Sequence, residues 1–257
     1  MNINRQTWHA LSVWGLFIVL NVIINGTIPF VLGADLHDWT YSITKNILYS
    51  VLLYYGVFLV IPLVLTKGWQ TVRQPVFLGA LAIILLGVAL WGFNIRYGAA
   101  VVVPMLVYLH WRYDLSDLGF RSHGIKGDII AVLVLGLLPF VLIFFGTWPP
   151  SFTPGRALSA GLDRLFANPA STLENLFYFG FLAERLSHKA GRGVTPLLIA
   201  LMYTFHEMSN PEYWYEGMSI TFTFIGVALF AVIYLWRRNI VAIWLGDGLS
   251  RFVLRLF

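Results

Sequence analysis

Long apolar blocks follow one another along almost the whole chain of 257 residues, and this pattern constrains the fold more than any other feature. A helix that spans a membrane needs about 20 consecutive apolar residues, with a range of about 17–25. Hydrophobic residues make up 58% of the sequence and charged residues 11%, whereas soluble domains average about 45–50% and about 25%. One water-facing globule cannot bury that much apolar surface. The sequence therefore predicts an integral membrane protein.

The predicted fold is an all-α, polytopic transmembrane bundle of about 8–9 membrane helices. We assign nine helical segments, at 9–32, 47–66, 75–93, 97–111, 129–146, 170–185, 194–208, 219–236 and 239–256. Long polar connections are predicted at 112–128 and 147–169. We divide this single membrane unit into N-terminal transmembrane helices, 1–111, and a C-terminal core, 112–257.

The basic residues support this count and give the bundle an orientation. If the N-terminus is inside the cell, 11 of the 17 Lys and Arg residues fall on the inner side. These are Arg5, Lys67, Arg73, Arg112, Arg121, Lys126, Arg185, Lys189, Arg192, Arg237 and Arg238. Such an excess is usual for the cytoplasmic side of a membrane protein. We expect a multi-pass protein of the bacterial cytoplasmic membrane, in contact with the lipid bilayer and with its N-terminus inside. Basic residues scattered in ones to threes do not indicate nucleic-acid binding.

Four ionisable residues lie within the apolar blocks of the C-terminal half, namely Glu174, His206, Asp247 and Arg251. Charged side chains at membrane depth cost at least about 2.5–3.5 kcal/mol each, so they are functional candidates. With a rise of about 1.5 Å per residue, their spacing from the inner basic residues places them in one layer of the outer half of the bilayer. Asp247 and Arg251 are four residues apart and are predicted to pair. A carboxylate, an imidazole and a second carboxylate suit metal-assisted or acid–base hydrolysis.

Each of these residues also has a purely structural interpretation. A histidine such as His206, taken alone, is often a solvated or hydrogen-bonded group at the end of a helix. Asp247 and Arg251, taken alone, are typical of a buried ion pair within one helix that fixes its packing. Glu174 lies in the first turn of its predicted helix, where the helix dipole favours a carboxylate. Ser171 would complete an S-x-x-E capping box with it.

Three stretches of the sequence resemble one known family. Residues 174–182, ENLFYFGFL, resemble the EExxxRGxL signature of CPBP intramembrane proteases, which include CAAX prenyl endoproteases and bacteriocin-processing or Abi-type proteins. MYTFH at 202–206 is similar to the family's FxxxH, and NIVAIWLGDGLSR at 239–251 stands where the family has HxxxN or HxxxD. The stretch YDLSDLGFRSHGIKGDII at 113–130 is similar to the linker before the first motif. The resemblance covers about residues 112–256.

The match is incomplete at several motif positions. Glu174 and His206 stand where the family has its first Glu and its second-motif His. Asn175 replaces the second Glu, and Phe179 replaces the motif Arg. In the third motif, Asp247 and Arg251 replace His and Asn or Asp.

The resemblance implies an intramembrane endopeptidase that hydrolyses a peptide bond of a membrane-associated protein or peptide. Glu174 would act as general base on water, and His206 would orient that water or bind a metal. A divalent metal such as zinc would be held by Glu174, His206 and Asp247, since carboxylate and imidazole both bind zinc; the alternative is a site that works through glutamate alone. Asn175 and Arg251 would donate hydrogen bonds to the transition state.

Two other functions are compatible with the same residues. One is a catalytically inactive CPBP-like protein that binds a peptide or partner in immunity or assembly, because a fold does not guarantee its usual function. The other is a small transporter, although paired Gly/Pro-broken helices in two halves are not evident. Glu184 and His188 have metal-ligand spacing, but they lie among Arg185, Lys189 and Arg192. We interpret this group as a topology anchor and expect Glu184→Gln to leave peptide cleavage close to the wild-type level.

Overall fold

The computed structural model describes residues 3–27, 39–145, 168–208 and 217–256. Within these ranges the chain is helical, and the one contact of β type there is an antiparallel bridge between Phe120 and Asn239. The prediction of a helical bundle is confirmed. In chain order the helices are α1 Ile3–Val22 with a π-helical extension Ile23–Thr27, α2 at 39–67, α3 Trp69–Val72, α4 Pro75–Gly92, α5 Val102–Tyr113 after a 3-10 turn Arg96–Val101, α6 Ile125–Phe145, α7 Pro169–Asn175 continuing as π-helical Leu176–Ala183, α8 Glu184–Met208, α9 Gly217–Arg237 and α10 Ile240–Leu256.

Four helices of the described chain are long and apolar enough to cross a membrane, judged by length and composition. They are Arg5–Asn25, Thr44–Lys67, Pro75–Gly92 and Ile220–Arg237. The end of the first predicted segment, 28–32, and most of the predicted connection at 147–169 lie outside the described residues.

The predicted sixth and seventh segments form one nearly continuous helical stretch from Pro169 to Met208. The helix is interrupted at Gly191, where φ is 74° and ψ is 168°. Glycine has no Cβ and therefore adopts this left-handed φ without strain. The break falls inside the basic stretch between the two predicted segments, 170–185 and 194–208, so the chain is interrupted within the predicted connection, although helical residues extend further into it than predicted.

The π-helical stretch Leu176–Ala183 lies at the centre of the bundle, and every one of its residues is buried. Its Phe177 ring stacks on Phe58 of α2 at 4.5 Å between centroids, and Phe17 of α1 packs on Phe58 at 4.8 Å. Helix α1 also contacts α8, and α2 contacts α7. The N-terminal helices therefore pack directly on the C-terminal helices that carry the candidate site; the division at 111/112 stays a prediction.

The connection between α5 and α6 begins with a tight turn at Asp114, whose φ of 48° ends α5. The Asp114 carboxylate accepts the backbone N–H of Ser116 at 3.2 Å. Hydrogen bonds from the hydroxyl and the amide of Ser116 lower the pKa of Asp114, because they stabilise the charged carboxylate.

This connection then docks against the bundle core through backbone contacts. Gly180 has no side chain where it meets Leu118, and a Cβ there would overlap the Leu118 carbonyl oxygen. The Gly119 carbonyl accepts the backbone N–H of Ile240 at 2.7 Å, at the start of α10. A segment distant in sequence thus lies between the π-helical core and the start of the last helix.

Candidate functional site

The Glu174 carboxylate lies near the end of α7 and faces two tyrosines. The Tyr203 hydroxyl, on α8, donates a hydrogen bond to Glu174 Oε2 at 3.3 Å. Tyr54, on α2, lies close enough to the same carboxylate to interact with it electrostatically. Glu174 is therefore hydrogen-bonded by one tyrosine and neighboured by a second, and neither contact was predicted from the sequence.

The predicted capping box around Glu174 is wrong. Helix α7 begins at Pro169, and its N-cap is Asn168, whose side-chain oxygen accepts the backbone N–H of Ser171 at 3.4 Å. Proline is favoured at the first helical position because its missing N–H would have no partner there. Ser171 is thus inside the helix, and Glu174 does not cap it.

His206 lies inside a box of aromatic rings and is only 7% exposed. Phe17 meets the imidazole edge-on at 4.6 Å between centroids, and Tyr178 lies parallel to it at 5.9 Å. Tyr203 lies 5.6 Å from the imidazole. Tyr203 therefore contacts both His206 and Glu174, so the structure brings together the two residues that match the family motifs without change.

Asp247 contacts the same helix as Glu174, one turn earlier. The Ser171 hydroxyl donates a hydrogen bond to Asp247 Oδ2. The predicted pair with Arg251 is confirmed, with Nε of Arg251 3.7 Å from Oδ1 of Asp247. The Arg251 side chain is 45% exposed, whereas that of Asp247 is 15% exposed. Asp247 is therefore engaged by a serine and an arginine beside the Glu174 site.

The two remaining motif positions are filled differently from each other. Asn175 is buried, and its Nδ2 group has no hydrogen-bond partner among the described residues. The Asn175 amide can therefore still donate a hydrogen bond next to Glu174 in the sequence. Phe179, in place of the motif Arg, is 2% exposed and packs between the rings of Phe230 at 6.2 Å and Tyr234 at 6.0 Å. The family's cation is thus replaced by apolar packing.

A divalent metal needs several ligands that converge on one point, and the described residues do not provide them. No group of three or more His, Asp or Glu side chains within 3–27, 39–145, 168–208 and 217–256 could hold a metal ion. Asp247, the predicted third ligand, is bound to Ser171 and Arg251 instead. The described residues thus show no three-ligand zinc site, so we derive no step through a metal, and the metal stays an expectation from the resemblance.

Glu184 belongs to a second, distinct polar cluster that the sequence did not predict. It is 4% exposed, and its Oε1 accepts the Tyr234 hydroxyl at 2.9 Å. Its Oε2 lies 3.6 Å from Nη1 of Arg121 and 3.4 Å from Nη1 of Arg238. Arg121 comes from the α5–α6 connection and Arg238 follows α9. Glu184 is therefore a buried carboxylate that joins three segments of the chain, and the interpretation of it as part of a topology anchor did not anticipate this burial.

Sequence reasoning missed Tyr54, Tyr203 and the burial of Glu184 for different reasons. Tyr203 precedes His206 by three residues, so helical spacing alone places both on one face. Tyr54 lies in an apolar block with no local signal that its hydroxyl meets a carboxylate. The partners of Glu184 are distant in sequence, and only the fold brings them close.

No protein-family model, no curated protein and no solved structure matches this chain. The resemblance to CPBP proteases therefore depends on the quoted motifs alone.

Proposed function

We propose that this protein is an intramembrane endopeptidase of the CPBP type, which cleaves a membrane-associated protein or peptide. The observation that carries the proposal is the pair Glu174 and His206, joined through Tyr203 inside the helical bundle. A half-buried carboxylate with two hydroxyl neighbours, an imidazole and a buried amide donor is a set suited to acid–base hydrolysis.

In the proposed reaction, Glu174 accepts a proton from water as the water oxygen adds to the substrate carbonyl carbon. The negative charge that develops on the carbonyl oxygen is stabilised by a hydrogen-bond donor, and the Asn175 Nδ2 amide group would donate that hydrogen bond. Collapse of the tetrahedral intermediate breaks the C–N bond, and the protonated Glu174 returns its proton to the leaving amine. His206 orients the water from within its aromatic box.

The proposal includes about 8–9 membrane helices, with the N-terminus on the inner side of a bacterial cytoplasmic membrane. Four helices satisfy the length and composition of a span, and α6 is a further apolar helix of 21 residues. A reporter fused after Arg238 is expected to read cytoplasmic. A reporter inserted at Glu212, which lies outside the described residues, is expected to read exoplasmic. The reverse pattern would contradict this orientation.

The decisive experiment compares the wild type with Glu174→Gln. The amide keeps the shape and can still accept hydrogen bonds from tyrosine, but it cannot take a proton from water. General-base contributions are typically about 10²–10⁴-fold, so cleavage should almost disappear. Cleavage is measured as new N-termini in membranes from cells that express each variant, labelled and sequenced by mass spectrometry, so the substrate need not be identified beforehand.

The matched control is Asp117→Asn, which removes an exposed carboxylate far from Glu174 in the sequence. It should leave the set of cleaved proteins unchanged, while His206→Ala should lose it. Protein level and membrane insertion are measured for every variant. Full cleavage by Glu174→Gln would exclude Glu174 as the general base, and absence of any cleavage that depends on the wild-type protein would exclude the protease function.

A second candidate function is a catalytically inactive CPBP-like protein that binds a membrane peptide or partner. Two observations favour it. Asp247 is engaged by Ser171 and Arg251, and Phe179 places an apolar ring where the family has its motif Arg. If Glu174→Gln keeps the full biological effect of the wild type, this binding function takes the place of the protease.

A further inference from the structure

Two asparagines on α1 and a tyrosine on α2 form a third polar cluster, which lies in the part of the chain outside the family resemblance. Asn21 is 0% exposed and Asn25 is 8% exposed. Asn25 Nδ2 donates a hydrogen bond to Asn21 Oδ1 at 3.0 Å. The Tyr49 hydroxyl donates to Asn21 Oδ1 and accepts from Asn25 Nδ2. We refer to Asn21, Asn25 and Tyr49 as the asparagine cluster.

The asparagine cluster contains more hydrogen-bonding capacity than is needed to hold α1 and α2 together. A buried carboxamide costs free energy unless its donors and acceptors are paired. Asn25 Oδ1 is buried and has no hydrogen-bond partner within the described chain. The Tyr49 bonds already join the two helices. An acceptor is therefore left over, and it requires a donor from outside the described residues.

The asparagine cluster is continuous with the Glu174 site. The ring of Tyr49 lies 6.2 Å from that of Tyr54, between centroids, and Tyr54 lies close enough to the Glu174 carboxylate to interact with it electrostatically. Helix α1 changes from α to π geometry at Ile23, between the two asparagines. Single π-helical turns are frequent at functional sites. A polar strip thus runs from α1 through α2 to Glu174 and Asn175 on α7.

We propose that the asparagine cluster binds a backbone N–H of an unwound segment of the peptide substrate, with Asn25 Oδ1 as the acceptor. This inference depends on the proposed function, because a protease must reach an amide bond that is not closed within a helix. A transmembrane helix satisfies all its backbone groups internally, so only an unwound segment offers a free N–H in the membrane. The strip supplies an acceptor at Asn25 and a donor at Asn175, which is the complement of a peptide backbone.

The ligand class is therefore an extended apolar peptide, recognised by its main chain. Such a chain advances about 3.3–3.6 Å per residue. The amide bound by the asparagine cluster would then lie several residues from the bond beside Glu174.

The test measures binding separately from cleavage. The full-length Glu174→Gln protein in lipid nanodiscs is titrated with a fluorescent Leu/Ala-rich peptide of about 20 residues that carries Pro-Gly at its centre. A peptide of the same length without Pro-Gly stays helical and serves as the comparison. Adding Asn25→Leu, which keeps the side-chain size, should weaken binding of the Pro-Gly peptide about tenfold, as expected for one lost hydrogen bond. Binding of the helical peptide should not change.

Ser50→Ala is the matched control. Ser50 is buried next to Tyr49, but its hydroxyl donates to the Asn46 carbonyl of its own helix at 2.6 Å. The Glu174→Gln protein that also carries Ser50→Ala should bind both peptides with the same affinity as the Glu174→Gln protein alone. A second measurement needs no variant of the asparagine cluster: N-methylation of single peptide amides near Pro-Gly should weaken binding at one position, and that effect should vanish in Asn25→Leu.

Several results would overturn the inference. Unchanged peptide affinity in Asn25→Leu together with a lower unfolding temperature would assign the asparagine cluster to helix packing alone. Absence of any N-methyl-sensitive position, or absence of binding by both peptides, would also refute it. Failure of the proposed function looks different, because the wild type would then cleave nothing while the peptide still bound through Asn25.

Discussion

Replacing the buried Glu184 by glutamine should destabilise the protein more than any other single loss of a carboxylate in its ion network. The carboxylate is 4% exposed, with two guanidinium groups at 3.6 and 3.4 Å and the Tyr234 hydroxyl at 2.9 Å. At an effective dielectric constant of about 20, each ion pair at such a distance is worth about 4–5 kcal/mol before desolvation. Removing one partner of a fully buried pair typically costs about 3–5 kcal/mol, whereas exposed pairs contribute at most about 1 kcal/mol. Because the side chains of Arg121 and Arg238 are 26% and 20% exposed, we expect Glu184→Gln to cost an intermediate amount, about 2–3 kcal/mol.

Asp117 provides the matched control, because it belongs to the same network but is exposed. Its side chain is 61% exposed and lies 4.0 Å from Arg121 and 3.5 Å from Lys67. Exposed pairs of this kind contribute at most about 1 kcal/mol. Asp117→Asn should therefore change the free energy of unfolding by less than about 1 kcal/mol.

The assay is unfolding of the purified protein in mixed micelles by increasing SDS, followed by circular dichroism and tryptophan fluorescence. Glu184→Gln combined with Arg238→Gln should be less destabilising than the sum of the two single changes, because the double variant removes both members of a pair. If Glu184→Gln were no more destabilising than Asp117→Asn, or if the double variant were additive, the buried cluster would not be holding the connection to the core.

Two further predictions concern packing. Gly180→Ala should lower the free energy of unfolding by about 1–3 kcal/mol, because its Cβ would overlap the Leu118 carbonyl oxygen. In the control Gly79→Ala the new Cβ would meet nothing within 4 Å, so the change should be neutral or stabilising by up to about 1 kcal/mol. Equal losses in the two variants, measured by the same SDS titration, would argue against the docked connection. For the Asp247–Arg251 pair, the double change to alanine should be milder than the sum of the single changes, measured as the yield of folded protein, and additivity would show that the side chains do not interact.

The predicted features that depend on local pattern were reproduced best. The apolar blocks gave helices, and four-residue spacing gave the Asp247–Arg251 pair. Counting residues from the basic ends placed Glu174 and His206 at similar depth, and the structure joins them through Tyr203. Helix geometry alone determines these spacings within one or two segments, so they can be predicted from the sequence.

Features that depend on distant partners could not be predicted. Nothing near Glu184 in the sequence indicates that Arg121 and Arg238 converge on it, and its basic neighbours favoured a topology anchor. The start of α7 was predicted within one residue, at 170 against Pro169, but its cap is Asn168 and not Ser171, because Asn168-Pro169 is itself a helix-start signal. The tyrosine contacts of Glu174 depend on how three helices are rotated relative to one another, and the sequence does not specify these rotations.

The docked connection between α5 and α6 has a consequence for how the chain is made. Its Leu118 carbonyl, Gly119 carbonyl and Arg121 side chain contact residues that are synthesised about 60 to 120 positions later, among them Gly180 and Ile240. Contacts between distant parts of a chain form only after the loop between them has closed. During translation the connection therefore lacks part of its final contacts until the helix that begins at Ile240 has left the ribosome. A chain truncated before Ile240 should accordingly be recognised as incomplete and degraded, even though most of its apolar segments are already present.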